Sequence, residues 1–249
     1  MTAVDPHALP SFERAHRRAR PQWRRALRAL RCLLREPERT ENAFEVIAAL
    51  DPDLMERGLA VMLSHPEGRR LFLERPCLLD RLQDREALAR LPQGSLGRSY
   101  LAHIERYGLD PGKLVALGRS YEHEIRAADE GVRWFADRSE LSHDLCHVLT
   151  GYGADPLGET ALLWFSFGAF AGRGNALLMV GAALRTWREA GRGWPLRLAR
   201  AWRRGRRSGC LAALPYERLL AEPLEDVRRI AGIEDDAPLP RAALAQRRA

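Results

Sequence analysis

Residues 143–159 read HDLCHVLTGYGADPLGE, a stretch that predicts two helices meeting at a corner with metal-liganding side chains on both. His143, Asp144, His147 and Glu159 place four such side chains within 17 positions. At 100° per residue, His143 and His147 stand about 40° apart on a helix and Asp144 falls within the same arc of roughly 100°. All three can therefore address one point. The run from Thr150 through Gly151, Tyr152, Gly153 and Ala154 breaks that helix, and Asp155 with Pro156 reads as N-cap and first position of the next. Glu159 then sits about one turn into the second helix. A corner of this kind suits a divalent cation of mixed nitrogen and oxygen preference, zinc or iron. Two histidines four apart can equally be buried residues hydrogen-bonded to carboxylates, and spacing alone leaves that alternative open.

Outward from this corner, helical punctuation dominates and strand alternation is almost absent, which predicts an all-α fold with a single multi-helix domain. Leu27, Leu30, Leu33 and Leu34 form a helical stripe, with Pro21 near its start. Thr40 is expected to cap the next helix, and Asp51 with Pro52 to open one running through Met62. Another begins at His65, Pro66 and Glu67, continues past Leu71 to Glu74, and is stopped by Pro76. After the break at Leu91, Pro92, Gln93 and Gly94, Ser95 starts a helix that ends at Gly108. Asp110 and Pro111 cap its successor. A helix from about Glu130 carries Trp134, Phe135 and Leu141 into the motif. It is followed by helices over 156–171 and about 175–189. Gly191 to Gly193 is expected to set off a C-terminal lobe, and the final helix covers about 224–231. The division expected is an Arg-rich helical segment over 1–39, the main domain over 40–233, and a frayed tail over 234–249.

A chain of 249 residues with 46% hydrophobic content can bury one substantial core. The net charge of +7 ordinarily invites a nucleic-acid or anionic-membrane reading. Of the 40 basic residues, however, Lys113 is the single lysine, a bias that reflects base composition as much as phosphate contact. No nucleic-acid partner is expected, and no Gly-rich phosphate loop is present, since the glycines of 168–174 lack a strand-turn-helix setting. Cys32, Cys77, Cys146 and Cys210 are widely spaced without a CxxC pair and suit free thiols in a reducing compartment. The first residues do not read as a secretory signal, and the longest apolar-leaning stretch, 160–170, is far short of the roughly 20 residues a bilayer requires. An organelle-targeting reading of the Arg-rich 14–35 is set aside because arginine is abundant throughout.

The motif His143-Asp144-Leu145-Cys146-His147, followed after eleven residues by Glu159, resembles the HDxxH-x11-E signature of the Coq-four family of ubiquinone (coenzyme Q) biosynthesis proteins. The likeness extends to His65-Pro66-Glu67-Gly68-Arg69-Arg70 with Arg75-Pro76, to Leu91-Pro92 through Ser95-Leu96-Gly97 and Tyr100, and to Arg138. Tyr216-Glu217, Pro223-Leu224, Val227-Arg228 and Gly232-Ile233 resemble that family's ending. The resemblance covers about Thr40 to Ile233. Tyr152, Asp155 and the aromatic run Trp164, Phe165 and Phe167 depart from the family pattern.

The resemblance implies an α-helical fold, a metal held by His143, Asp144, His147 and Glu159, and action on polyprenylated ring precursors of ubiquinone. The implied reaction is an oxidative decarboxylation and hydroxylation at ring carbon C1; the alternative is a non-catalytic, isoprenoid-binding organiser of the biosynthetic complex. Arg138, about one turn before His143, is the catalytic candidate for orienting a substrate carboxylate by bidentate hydrogen bonding. Its other reading is an ion pair with Glu140 or Asp144. Cys146 reads as packing. Leu162, Leu163, Phe167, Leu177, Leu178, Leu184 and Trp187 are candidates to line a channel for the isoprenoid tail, or else plain core. The Arg- and Trp-bearing stretches 23–34 and 194–202 are candidates to lie on anionic lipid. Expected partners are thus the quinone precursor, other ubiquinone-biosynthesis proteins, a peripheral membrane surface and further copies of the chain, on the cytoplasmic side of a bacterial inner membrane. A protease reading of HDxxH is set aside because Asp144 is one methylene shorter than the glutamate base of HExxH enzymes.

Overall fold

Glu130–Thr150 forms one helix of 21 residues, about 31 Å long, and it contributes side chains to two of the apolar clusters among the described residues. The protein is described by a computed structural model covering residues 20–36, 39, 41–120 and 130–233. Among these residues there are 14 α-helices, one short 3-10 turn at Leu211–Ala213, and no strand. The all-α prediction holds. In chain order the helices are α1 (Trp23–Arg35), α2 (Glu41–Leu50), α3 (Leu54–Ser64), α4 (Pro66–Glu74), α5 (Leu78–Gln83), α6 (Arg85–Arg90) and α7 (Leu96–Tyr107). Then follow α8 (Pro111–Ser120), α9 (Glu130–Thr150), α10 (Pro156–Ala169), α11 (Arg173–Ala190), α12 (Trp194–Arg207), α13 (Tyr216–Leu219) and α14 (Leu224–Ile230). The expected cap at Thr40 and the expected tail from Glu234 lie outside the described residues.

Helix α9 is buried on several sides because its apolar residues do not keep to one stripe. Val132 and Phe135 join Leu59, Met62 and Phe72 in one cluster, whereas Leu141, Leu145 and Leu149 join Leu96, Tyr100, Leu162, Phe165 and Tyr216 in the main core. A helix so surrounded can present a side chain from its last turns at a fixed place. A third cluster, Ala26, Leu30, Val46, Leu50 and Leu178, joins α1, α2 and α11.

Local punctuation accounts for most helix ends. Ser95 Oγ accepts from the Arg98 amide at 3.2 Å, and Gly108 closes the same helix with φ +65°. Asp155 caps α10 by accepting from the amides of Leu157 and Gly158 at 3.1 and 3.2 Å. Two expectations are corrected. Asp51 and Pro52 do not open α3, which starts at Leu54; the buried Asp51 carboxylate instead accepts from the Gly174 amide at 2.6 Å and so caps the distant helix α11. Nor do Gly191 to Gly193 set off a separate lobe. Helix α12 packs along α10 so closely that a Cβ on Gly205 would lie 1.9 Å from the Phe165 carbonyl oxygen, and one on Gly168 would lie 2.2 Å from that of Trp202. Trp194, Leu198 and Ala201 consequently belong to the main core.

Candidate metal centre

His143 and His147 are one turn apart on α9, and their Nε2 atoms approach to 3.3 Å with the rings edge-to-face at 85°. The helix ends three residues after His147. Gly151, at φ +75°, takes the left-handed conformation that lets the chain reverse, and its amide donates to the His147 carbonyl at 2.9 Å. The start of α10 is then drawn tightly against the turn: a Cβ on Gly158 would lie 1.9 Å from the Gly153 carbonyl oxygen. That approach brings Glu159 to the histidines, with its carboxylate oxygens 3.2 Å from His147 Nε2 and 3.6 Å from His143 Nε2. One ligand atom from each of the three lies within 4.8 Å of the others.

The turn also sets the chemistry of His147. Its Nδ1 lies 3.2 Å from the Tyr152 carbonyl oxygen, which can only accept, so Nδ1 carries a hydrogen and Nε2 is the nitrogen that faces the cluster. Two arginines from remote helices hold this turn. The buried Arg204 donates to the Thr150 carbonyl at 3.1 Å and the Tyr152 hydroxyl at 2.9 Å; Arg228 donates to the Leu149 carbonyl at 2.8 Å. Their charges also oppose the negative end of the α9 dipole.

Electrostatics inside the cluster follow from its composition. Burial disfavours a charged Glu159, yet hydrogen bonds with and the charges of His143 and His147 outweigh it and hold the carboxyl far below its ordinary range. Burial likewise opposes protonation of His143, but Glu159, helped by Asp144, raises its pKa. The donor set, two imidazoles and one ionised carboxylate, fits zinc or iron, and its three ligands are the number that leaves a further coordination position open. His147 is 1% exposed, whereas the side chains of His143 and Glu159 are each 42% exposed, so the cluster is rooted in the core and open on one side.

The remaining residues singled out in the sequence are placed differently. Asp144 is buried beside the cluster but is not one of its three members; burial raises its pKa against the pull of His143 and His147. Arg138, 1% exposed, meets a bidentate carboxylate as expected of it, but that carboxylate is Glu217, with contacts of 2.5 and 3.2 Å. Its other donors reach the carbonyls of Leu214 at 2.6 Å and Ala212 at 3.3 Å, and its ion pair is with Glu217 rather than with Glu140 or Asp144. Cys146 packs on the core, its thiol pushed up to about 12 by burial. Of the channel candidates, Leu162 and Leu178 are core, while Leu184 and Trp187 are 71% and 51% exposed. A cavity of about 530 Å³ lies beside the first half of α9, lined by Leu78, Val115, Trp134, Arg138 and Leu141 among others, and no member of the cluster lines it.

His103 was not singled out by sequence, although it stands against the cluster. From α7 its ring stacks on His147 with centroids 5.3 Å apart and planes at 23°, and burial followed by the His147 charge lowers its pKa to about 4. It lies 40 positions before His143, and no spacing rule links them.

The sequence matches the family model described as coenzyme Q (ubiquinone) biosynthesis protein Coq4 over residues 29–237. It is 32% identical over 188 residues to the zebrafish (Danio rerio) ubiquinone biosynthesis protein COQ4 homolog, mitochondrial, covering 70% of this chain and 62% of that protein. It is 30% identical over 195 residues to the mitochondrial COQ4 protein of Paracoccidioides brasiliensis, covering 76% of this chain and 66% of the relative. The match thus spans slightly less than two thirds of those relatives. Among solved structures, a candidate ubiquinone biosynthesis protein from Nostoc punctiforme superposes with a TM-score of 0.58, covering 85% of this chain and 98% of the other at 18% identity, which is a likeness of fold.

Proposed function

This chain belongs to the coenzyme Q (ubiquinone) biosynthesis protein Coq4 family, and from that premise we propose that His143, His147 and Glu159 hold a divalent metal ion, zinc or iron, for a ring-modifying step of ubiquinone synthesis. The step is the oxidative decarboxylation of a polyprenylated precursor at ring carbon C1. The bond from C1 to the carboxyl carbon breaks, carbon dioxide leaves, and a hydroxyl whose oxygen comes from water takes its place, a net two-electron oxidation that balances with dioxygen reduced to hydrogen peroxide. A bound ion supplies Lewis acidity toward a ring carboxylate or phenolate, and iron adds redox chemistry with dioxygen. The observation that carries this reading is the half-open cluster: three protein donors, with His143 and Glu159 each 42% exposed. A structural ion that only tied α9 to α10 would favour four protein ligands in a closed site.

The chain's own residues have separable tasks. His147, with its tautomer held by the Tyr152 carbonyl, anchors the ion from the core side. Glu159 and His143 hold it at the open side, where an aromatic acid can arrive. Asp144 contributes negative charge from beside the cluster. For Arg138 we propose bracing of α9 against the segment 212–217 in place of substrate orientation, because Glu217 already occupies the fork of its guanidinium.

The apolar precursor implies a membrane, and one face suits its surface. Trp23 and Leu27 on α1 and Val180, Leu184 and Trp187 on the adjoining α11 are all at least 45% exposed, flanked by the exposed Arg24, Arg28, Arg31, Arg185 and Arg188. Aromatic and aliphatic side chains beside arginines are the composition that rests on anionic lipid. No helix among the described residues is long and apolar enough to cross a membrane. The proposal therefore places the protein peripherally, on the cytoplasmic side of a bacterial inner membrane. There it meets other ubiquinone-biosynthesis proteins and further copies of itself, with the 40–233 domain carrying the chemistry.

The test is reconstitution of metal-loaded protein with a prenylated 4-hydroxybenzoate-type substrate in vesicles under dioxygen. Carbon dioxide and a ring-hydroxylated product are expected, and His147→Ala should abolish both together with metal uptake. Absence of turnover with zinc, iron and manganese, with metal and lipid binding retained, would overturn the enzymatic reading in favour of an organiser.

A further inference from the structure

We propose that His103 is the hydrogen-bonding group of the metal site's open position: its Nε2 contacts an oxygen of the phenolate or carboxylate that binds there beside His143, His147 and Glu159. The inference rests on reading those three residues as a metal centre.

Geometry separates His103 from the ligands while keeping it in their company. It comes from α7, which contributes nothing to the cluster, and its ring lies over His147 at 5.3 Å with the planes only 23° apart. It is not a member of the group whose donor atoms lie within 4.8 Å of one another. A metal–oxygen bond of about 2 Å followed by a hydrogen bond of about 2.8 Å puts the outer partner roughly 4–5 Å from an ion. His103, whose ring lies on a ligand ring while its nitrogens fall outside the donor set, is a candidate for that outer position.

Chemistry gives the second argument. His103 Nε2 is buried and has no hydrogen-bond partner among the described residues. A buried polar atom left unpaired is costly, and a phenylalanine would fill the same volume without that cost. The groups whose charges act on His103 are His147, Glu159, His143 and Arg106, so three of the four belong to the cluster. The Tyr107 ring also packs against His103, with centroids 5.0 Å apart. The orphaned nitrogen is therefore spare hydrogen-bonding capacity at the site's edge. It favours an oxygen ligand that can pair with it over a ligand that cannot.

The test loads the full chain with cobalt(II) and follows ligand binding by visible absorption, using 4-hydroxybenzoate as the oxygen ligand and thiocyanate as the control. His103→Phe preserves the ring stack and removes the nitrogens. The expected result is a 4-hydroxybenzoate Kd raised about tenfold or more, with the thiocyanate Kd within about twofold and cobalt stoichiometry equal to the wild type. His103→Gln, which restores a polar group, should bring the 4-hydroxybenzoate Kd back to within about threefold and decides the matter if the phenylalanine variant misfolds. Equal 4-hydroxybenzoate affinity in wild type and variants would overturn the proposal. So would loss of cobalt with the helical circular dichroism intact, which would make His103 a ligand. Failure of the wild type itself to take up cobalt, zinc or iron would overturn the metal reading as well, and is thereby distinguishable.

Discussion

Replacing Arg138 with methionine should destabilise the protein by about 3–5 kcal/mol while leaving the metal cluster able to bind. The magnitude comes from what the substitution strands. Arg138 and Glu217 have side chains 1% and 11% exposed, so the carboxylate would lose its bidentate partner in a place where water cannot replace it. The carbonyls of Leu214 and Ala212 would lose donors at 2.6 and 3.3 Å as well. The guanidinium carbon lies over the rings of Trp134 and Tyr216 at 5.7 and 5.8 Å, contacts that methionine gives up together with the charge, so the loss is chiefly electrostatic. Against a typical domain stability of about 5–15 kcal/mol the effect is large, and it corresponds to a fall in Tm of roughly 6–20 °C. The assay is urea unfolding followed by circular dichroism for Arg138→Met, Glu217→Gln and the double variant. The two single costs should exceed the double cost by about 1–3 kcal/mol, the coupling of directly paired groups. A loss below about 1 kcal/mol, accompanied by loss of turnover in a fully folded variant, would refute the bracing role and restore Arg138 as a substrate-orienting residue.

Two further outcomes follow from the site and the surface. In the metal-free protein, the raised pKa of His143 contributes stability that is complete below the ordinary imidazole value of about 6.5 and is lost as pH rises through the raised value. The lowered pKa of Glu159 contributes stability present above the ordinary glutamate value of about 4.3 and lost only as pH falls through the lowered one. A metal ion requires deprotonated His143, so its affinity should rise with pH through neutrality, with about one proton released per ion near pH 6. Calorimetry in buffers of different ionisation enthalpy reads that proton, and an affinity constant between pH 6 and 8 would contradict the coupling. On the surface, Leu184→Glu with Trp187→Glu should cut sedimentation with anionic vesicles about tenfold or more while leaving Tm within a few degrees, since both side chains are more than half exposed. Unchanged sedimentation would remove the α1–α11 face as the lipid-facing surface.

The sequence by itself determined whatever depends on neighbours along the chain. Ser95 and Gly108 mark the ends of α7, and Asp155 with Pro156 marks the start of α10, because capping is settled within a turn of backbone. His143 and His147 were legible as a pair because a helix converts a spacing of four into adjacency. Glu159 was legible as their companion, although the close approach delivering it depends on Gly158 against Gly153. The tertiary structure alone decided the contacts between residues far apart in the chain. Asp51 caps α11 across 123 positions, Arg138 meets Glu217 across 79, and Arg204 steadies the turn behind His147 from 52 positions beyond Tyr152. It also brought His143, His147 and Glu159 within 4.8 Å of one another with Asp144 buried beside them, and set against them His103, which no spacing suggested. The physical reason is common to all of these. Helix geometry is periodic and leaves a trace in sequence, whereas the docking of one helix on another is set by the summed packing of many side chains. A buried charge or imidazole finds its partner only after that docking is complete.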